Sequence, residues 1–232
     1  MKIAIFSDIH GNKEALQAII NDIKNNDIDE IISLGDNIGI GPNPKECLDL
    51  IINNNINMVL GNHELYYLKG IEIDDEMGEG EKLHHNWVRN QITNDQKLFL
   101  EKCNLSIEKE INNKKILFEH FLINYNSKDD YPFQDLSIIN NNSFNDIINS
   151  LDYNLIFIGH EHKEFNVDKL YDVGSSGCRK DNITRYTVLD TDTFKVETKL
   201  IEFDREAFIN SLLKEDYPDR NKIAKWFYDV EV

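Results

Sequence analysis

The sequence predicts an α/β fold of two sheets packed face to face, with helices on the outside. Three observations carry this expectation. Through Leu60, short apolar runs alternate with amphipathic helical patterns across short connections, the order of parallel βαβ units. From Ser106 onward, strand candidates return in pairs around tight turns, a more antiparallel arrangement. No repeat or linker interrupts the 232 residues, so one domain over 1–232 is expected.

The first strand is Ile3 to Phe6. Asn12 then caps a helix running to about Asn25, with Leu16, Ile19, Ile20 and Ile23 on one face. A second strand, Ile31 to Leu34, leads into the turn-rich loop Gly39 to Pro44 and a helix carrying Cys47, Leu48, Leu50, Ile51 and Ile52. A third strand ends at Leu60. Residues 64–110 break the alternation. Glu72 to Glu81 holds six acidic residues and is expected to be a solvated loop. After it, Trp87, Val88, Ile92, Leu98, Phe99 and Leu100 mark two helices, with Thr93 as the cap between them. This segment is expected to lie as a helical, cap-like insertion over one sheet end, too sparse in apolar residues to fold alone. Ser106 to Ile111 and Lys115 to Phe118 flank Asn112-Asn113 as a hairpin. Asn140 to Ser150 reads as a helix and Leu155 to Ile158 as a buried strand. A second hairpin, Tyr186 to Asp190 with Phe194 to Ile201, precedes closing helices over Arg205 to Lys214 and Asn221 to Tyr228.

Composition narrows the function. The net charge of −17 argues against a nucleic-acid polymer as partner, because phosphate backbones are bound by clustered Lys and Arg. No stretch is long and apolar enough for a membrane span, and the first apolar run stops after four residues at Ser7-Asp8, so no signal sequence is expected. Cys47, Cys103 and Cys178 are odd in number, far apart and outside any CxxC spacing, which predicts free thiols in a reducing, cytoplasmic setting and neither a disulfide frame nor a thiolate metal site.

The informative residues stand at the strand ends. Asp8 and His10 follow the first strand, Asp36 the second, and Asn62-His63 the third. His120 follows Ile116 to Glu119, and His160 and His162 follow Leu155 to Gly159. Five of the seven histidines lie at these positions. In α/β sheets the loops at strand carboxyl ends share one edge, where ligands bind. Carboxylates, imidazoles and an amide oxygen suit ions such as Mn²⁺, Fe²⁺, Zn²⁺ or Co²⁺. Seven donors exceed one tetrahedral ion and suit two that share a carboxylate. Two such ions, ~3.5–4 Å apart, allow a bridging hydroxide to attack phosphorus while both metals bear the developing charge.

Asp8-Ile9-His10-Gly11-Asn12, Gly35-Asp36-Asn37, Gly61-Asn62-His63-Glu64, His120 and Gly159-His160-Glu161-His162 together resemble the calcineurin-like metallophosphoesterases in order and approximate spacing. The loop Gly39 to Pro44 resembles the small YfcE-type phosphodiesterases. The resemblance spans essentially the whole chain. It implies a four-layer α/β/β/α sandwich of two mixed sheets with a dimetal site at the strand carboxyl ends. By analogy, Asp8, His10 and His162 hold the first ion, Asn62, His120 and His160 the second, and Asp36 bridges them. His63 is not a ligand in this pattern. It lies beside the substrate phosphate, to stabilise charge or protonate the leaving oxygen. Two divalent ions are implied, Mn²⁺ foremost, with Fe, Zn, Ni, Co or Mg as substitutes.

The implied activity is hydrolysis of small phosphodiesters. The alternatives are phosphomonoesterase or protein-phosphatase-like activity on the same site, or a catalytically silent scaffold of this fold. Two departures from the family pattern bear on substrate contacts. Phe121 stands after His120 where the family usually has Gly, and Arg179-Lys180 replace the usual Pro-Arg. Arg179 and Lys180 are candidate phosphate contacts, although a solvated hairpin is the favoured reading. His84 and His85 are placed at a helix start, with surface positions favoured over a reach across the site.

Overall fold

Residues 1–71, 77–124, 126–129, 132–134 and 141–231 are described by the computed structural model. The first half runs β1 (Lys2–Phe6), α1 (Lys13–Lys24), β2 (Glu30–Ser33), α2 (Pro44–Asn53) and β3 (Asn57–Met58). Three helices follow, α3 (Asn62–Lys69), α4 (Glu79–Gln91) and α5 (Asn94–Leu100). Then come β4 (Ser106–Ile111), β5 (Lys114–Glu119), α6 (Asn141–Ser150) and β6 (Leu155–Ile158). The chain continues through β7 (Phe165–Val167), β8 (Leu170–Asp172), β9 (Ile183–Asp190) and β10 (Lys195–Glu202). It ends with α7 (Arg205–Lys214) and α8 (Arg220–Tyr228).

The strands form two mixed five-stranded sheets, β10-β9-β1-β2-β3 and β4-β5-β6-β8-β7. In the first, β1, β2 and β3 are parallel and β9 and β10 antiparallel. In the second, β5, β6 and β8 are parallel, flanked by antiparallel β4 and β7.

Strand periodicity sets the layers, because alternate side chains point to opposite faces. Ile3 and Ile5 of β1 share an inner core with Ile32, Ile116, Phe118, Phe157 and Leu189, drawn from both sheets. Ala4 and Phe6 face the other way, onto Leu16, Ile19, Leu48 and Ile51 of α1 and α2. On the far side, Leu117, Ile156 and Ile158 pack with Ile148 of α6. The order is therefore helix, sheet, sheet, helix, as the sequence suggests. α7 and α8 bury Phe208, Leu212, Ile223 and Tyr228 beside Ala15 of α1.

Local chemistry explains most boundaries. Asn12 Oδ1 accepts the Ala15 N–H at 3.0 Å and starts α1. Thr93 and Gln96 form the capping box that separates α4 from α5. Asn112 and Asn113 both take positive φ, as a two-residue hairpin turn of this hand requires. β3 is shorter than its apolar run: it ends at Met58, and Val59 bridges Asn104 instead. β7 and β8 escape the sequence reading because each has three residues, too few to display a period. Half of the acidic segment, 72–76, lies outside the described residues, as does Asn140, and Glu79 to Glu81 open α4 instead of continuing the expected loop.

Candidate metal centre

Parallel β1, β2 and β3 in one sheet, and β5 and β6 in the other, end on a common edge. The loops that follow, and the first turn of α3 after β3, carry every strand-end residue singled out above. The turn after β1 is cross-tied to the turn after β2: Asp8 N–H donates to Gly35 O at 3.1 Å, and His10 N–H to Asp36 O at 2.8 Å. Asp8, His10, Asp36, His160 and His162 all hold left-handed backbone, with φ of 55°, 46°, 51°, 74° and 57°. Such positions cost non-glycine residues about 1–3 kcal/mol each and persist where surrounding bonds enforce them. Their concentration at one sheet edge marks a site built for side-chain placement.

Glu64 is part of that enforcement, and sequence reasoning gave it no role. Fully buried, it accepts the N–H groups of Asp36 (2.8 Å), Asn37 (2.8 Å), Ile38 (3.3 Å) and Gly61 (2.9 Å). Its signal was present in the Gly61-Asn62-His63-Glu64 run. Gly61 is needed for a different reason, since a Cβ there would meet Asp36 Oδ1 at 2.1 Å.

The functional atoms converge. Asn62 Oδ1 lies 3.1 Å from His120 Nε2 and 3.0 Å from His160 Nδ1. Asp36 Oδ2 lies 3.2 Å from His120 Nε2 and 3.7 Å from His10 Nε2. Asp8 Oδ1 lies 3.7 Å from His10 Nε2 and 3.5 Å from His162 Nε2, which are themselves 2.8 Å apart. His63 stands slightly back, its Nε2 3.9 Å from Asp36 Oδ2 and its backbone N–H donating to Asp36 Oδ1 at 2.9 Å. Among the described residues, three donor sets fall within 4.8 Å of one another: Asp8, Asp36 and His120; His10, Asp36 and His63; His10, His162 and Cys178.

The donor chemistry fits divalent ions. His120 Nδ1 lies 2.8 Å from the Leu34 carbonyl, which only accepts, so Nδ1 carries a proton. Nε2 of the neutral ring is then bare, yet it faces two oxygens. A nitrogen so placed calls for a cation between them. A proton is one answer: burial opposes charge on His120, but Asp36 outweighs it and pushes its pKa up to about 9. The other rings favour a metal. Burial, with His162 next, pushes His10 down to about 4, and burial with His120 does the same to His160. Burial disfavours charge on Asp36, but His120 and His63 prevail and hold its carboxyl well below the usual range. Asp8 Oδ1 is buried with no hydrogen-bond donor. Imidazole nitrogens around two buried carboxylates are a donor set of the kind that suits a divalent ion.

The walls differ from expectation at His84 and His85. Both are buried, at 3% and 6% exposure, and both lie mid-helix in α4. His85 lies 4.9 Å from the His63 ring and 5.0 Å from Tyr66, and His84 packs against the stacked pair Trp87 and Tyr217. The surface reading failed because the inward face of α4 is built of imidazoles and Val88, so apolar periodicity understates its burial. Phe121 is buried edge-on to the His120 and His160 rings at 5.7 and 5.8 Å, with Phe133 beside them. Arg179 is held by Asp181 at 2.9 Å and by the Ile183 carbonyl at 2.8 Å. It lines a cavity of ≈ 380 Å³ with His162, Cys178, Lys180, Trp226 and Phe227. A second cavity of ≈ 380 Å³ opens beside His63, His84, His85, Ile40, Lys222 and Phe227. No helix among the described residues is long and apolar enough to cross a membrane.

Known proteins resemble this chain over nearly its whole length. The protein MJ0912 of Methanocaldococcus jannaschii is 34% identical over 238 residues, covering 94% of each chain. Among solved structures, PH1004 from Pyrococcus horikoshii superposes with a TM-score of 0.81 at 17% identity, over 100% of this chain and 99% of its own. A metallophosphoesterase from Sphaerobacter thermophilus gives 0.71 at 21% identity, over 97% and 98%. At these identities the two structures speak to the fold. The family model described as calcineurin-like phosphoesterase matches residues 1–164, the stretch that holds all seven strand-end donors, and the chain belongs to that family.

Proposed function

We propose that the protein hydrolyses small phosphodiesters at a dimetal centre. The observation that carries this reading is the convergence of Asp8, His10, Asp36, Asn62, His120, His160 and His162 on one sheet edge, with donor atoms within metal-bridging distance. Asp8, His10 and His162 would hold one ion, Asn62, His120 and His160 the other, with Asp36 between them. Two divalent ions so held would supply an activated water and bear the charge that develops on the phosphate oxygens.

The chain's own residues do the rest. Asp36, fixed by Glu64 beneath it, keeps both halves of the site in register. His63 faces the open side, and burial, partly offset by Asp36, keeps its pKa well below the usual value. A neutral imidazole there can donate a hydrogen bond to a phosphate oxygen or to the departing alkoxide. The segment 64–110 would act as the cap that selects substrates, since α4 brings His84 and His85 to the cavity beside His63.

A diester is favoured over a monoester by charge. Two of the three cations lining the flanking cavities are engaged: Arg179 with Asp181 at 2.9 Å and Lys222 with Asp219 at 3.4 Å. Walls with so little free positive charge suit a monoanion better than a dianion. The test is a panel of aryl mono- and diesters offered to the purified chain with each divalent ion. Diester turnover, abolished by Asp36→Ala, is expected. Turnover of monoesters alone would overturn the diester assignment.

A further inference from the structure

Cys178 is the one residue of the three close donor sets that the ligand pattern above leaves without a role. Its sulfur lies within 4.8 Å of donor nitrogens of His10 and His162. Fully buried Asp8 Oδ1, which has no hydrogen-bond donor, is 3.5 Å from His162 Nε2 and 3.7 Å from His10 Nε2. The two imidazoles that approach the thiol thus also face the buried carboxylate oxygen.

The turn that carries Cys178 is fastened to the metal-ligand loop after β1. Ser176 N–H donates to Ser7 O and Gly177 N–H to Asp8 O, both at 2.9 Å. Ser175 Oγ donates to Asp8 O at 2.9 Å and accepts the Cys178 N–H at 2.9 Å, and Asn12 Nδ2 donates to Gly177 O at 2.8 Å. A Cβ on Gly177 would meet Ile9 O at 1.9 Å, so only glycine allows the two backbones to approach this closely. The next side chain is delivered against His10 and His162. On its other side, the sulfur is 3.8 Å from the hydroxyl of buried Tyr228, which is placed to donate to a thiolate.

We propose that Cys178 is a further ligand to the ion held by Asp8, His10 and His162, giving it a sulfur donor that favours thiophilic metals. The inference rests on the dimetal reading above. As the sulfur–metal bond forms, the thiol releases its proton to solvent, and no redox change is involved. Thiolate donors select Zn²⁺, Co²⁺ and Fe²⁺ over Mn²⁺ and Mg²⁺, so the first site should discriminate between ions that the second accepts alike. Family resemblance alone placed Mn²⁺ first; Cys178 turns that preference around for one of the two ions.

The test is optical and does not depend on turnover. The purified chain is stripped with a chelator and titrated with Co²⁺, following the sulfur-to-cobalt charge-transfer band in the near ultraviolet and the bound stoichiometry. Wild type should show the band, Cys178→Ser should lose it, and Cys103→Ser should keep it. In competition, the first site of Cys178→Ser should lose on the order of tenfold in Zn²⁺ preference over Mn²⁺. Two bound ions with no band in wild type, or a band that survives in Cys178→Ser, would overturn the role of Cys178 alone. Failure to bind Co²⁺ at all would overturn the dimetal reading, and this inference with it.

Discussion

The carboxylate of Glu64 accepts the backbone N–H of Asp36 at 2.8 Å, so the residue placed between the two ion sites is anchored from beneath by the acid two positions after Asn62. The same carboxylate shares Oε2 between Asp36 and Gly61, and Oε1 between Asn37 and Ile38. Glu64→Ala leaves four buried N–H groups without an acceptor and should cost about 3–5 kcal/mol of stability. Glu64→Gln retains one oxygen, hence two of the four bonds, and should cost about half as much. Urea unfolding of both variants checks the ordering. Equal losses, or losses within ~0.5 kcal/mol of zero, would show that the loop holds itself.

His63 is close enough to Asp36 and His10 to count as a donor, yet its proposed task is toward substrate. His63→Ala should leave two ions per chain bound while lowering kcat by about 10²–10⁴-fold, the usual contribution of a placed proton donor. Metal content by elemental analysis, measured beside turnover, separates the roles. If the variant retains fewer ions than wild type, His63 is a ligand and the substrate-facing role fails.

How much of this was legible in the sequence follows from what each residue must satisfy. The strand-end donors were visible because strands advertise themselves by apolar runs and a metal needs polar atoms at their ends. The layers were visible because parallel βαβ order gives way to paired hairpins after Ser106, whereas Ile3 to Phe6 is apolar throughout and does not say which face meets which layer. Glu64 was quoted within its motif, but its role was hidden because its partners are backbone N–H groups, which any sequence supplies. His85 was misjudged because its neighbours, His63 and Tyr66, come from another helix, and a polar ring packed on polar rings carries no hydrophobic signature. A thiolate ligand was not expected at Cys178 because its neighbours, His10 and His162, are distant in sequence and no cysteine motif announces them.

Asp172, at the end of β8, makes a pH prediction outside the ligand set. Its Oδ1 accepts the Gly174 N–H at 2.8 Å, but Oδ2 is buried with no partner. Burial pushes its pKa up to about 8 from 3.8, so the fold favours the protonated acid. The sign follows directly: its stabilising contribution is complete below pH 3.8 and is lost as pH rises toward about 8. Asp172→Asn, which cannot ionise, should match wild type near pH 4 and gain on it progressively up to pH 9. In the chelated chain the gap should reach several degrees in Tm, at roughly 2–4 °C per kcal/mol. Melting curves that stay parallel across this range would exclude the raised acid.

Removing metal should expose the cost that the site imposes on the fold. Asp8 and Asp36 are 0% and 2% exposed, and both carboxylates converge on the same cluster of largely neutral imidazoles. Without a metal, His120 is left to balance two buried carboxylates, and five residues of the cluster still hold left-handed backbone. A divalent ion at a hundred times its Kd should therefore add about 2.7 kcal/mol per site, or roughly 5–10 °C in Tm for a chain of this size. Asp8→Asn removes one buried charge while weakening one ion site. Its chelated form should melt above chelated wild type, whereas its metal-loaded form should melt below loaded wild type. This crossing distinguishes a metal site from a structural polar cluster, because a carboxylate that served only the fold would make Asp8→Asn less stable under both conditions. Thermal melts of the two proteins with and without chelator decide between them.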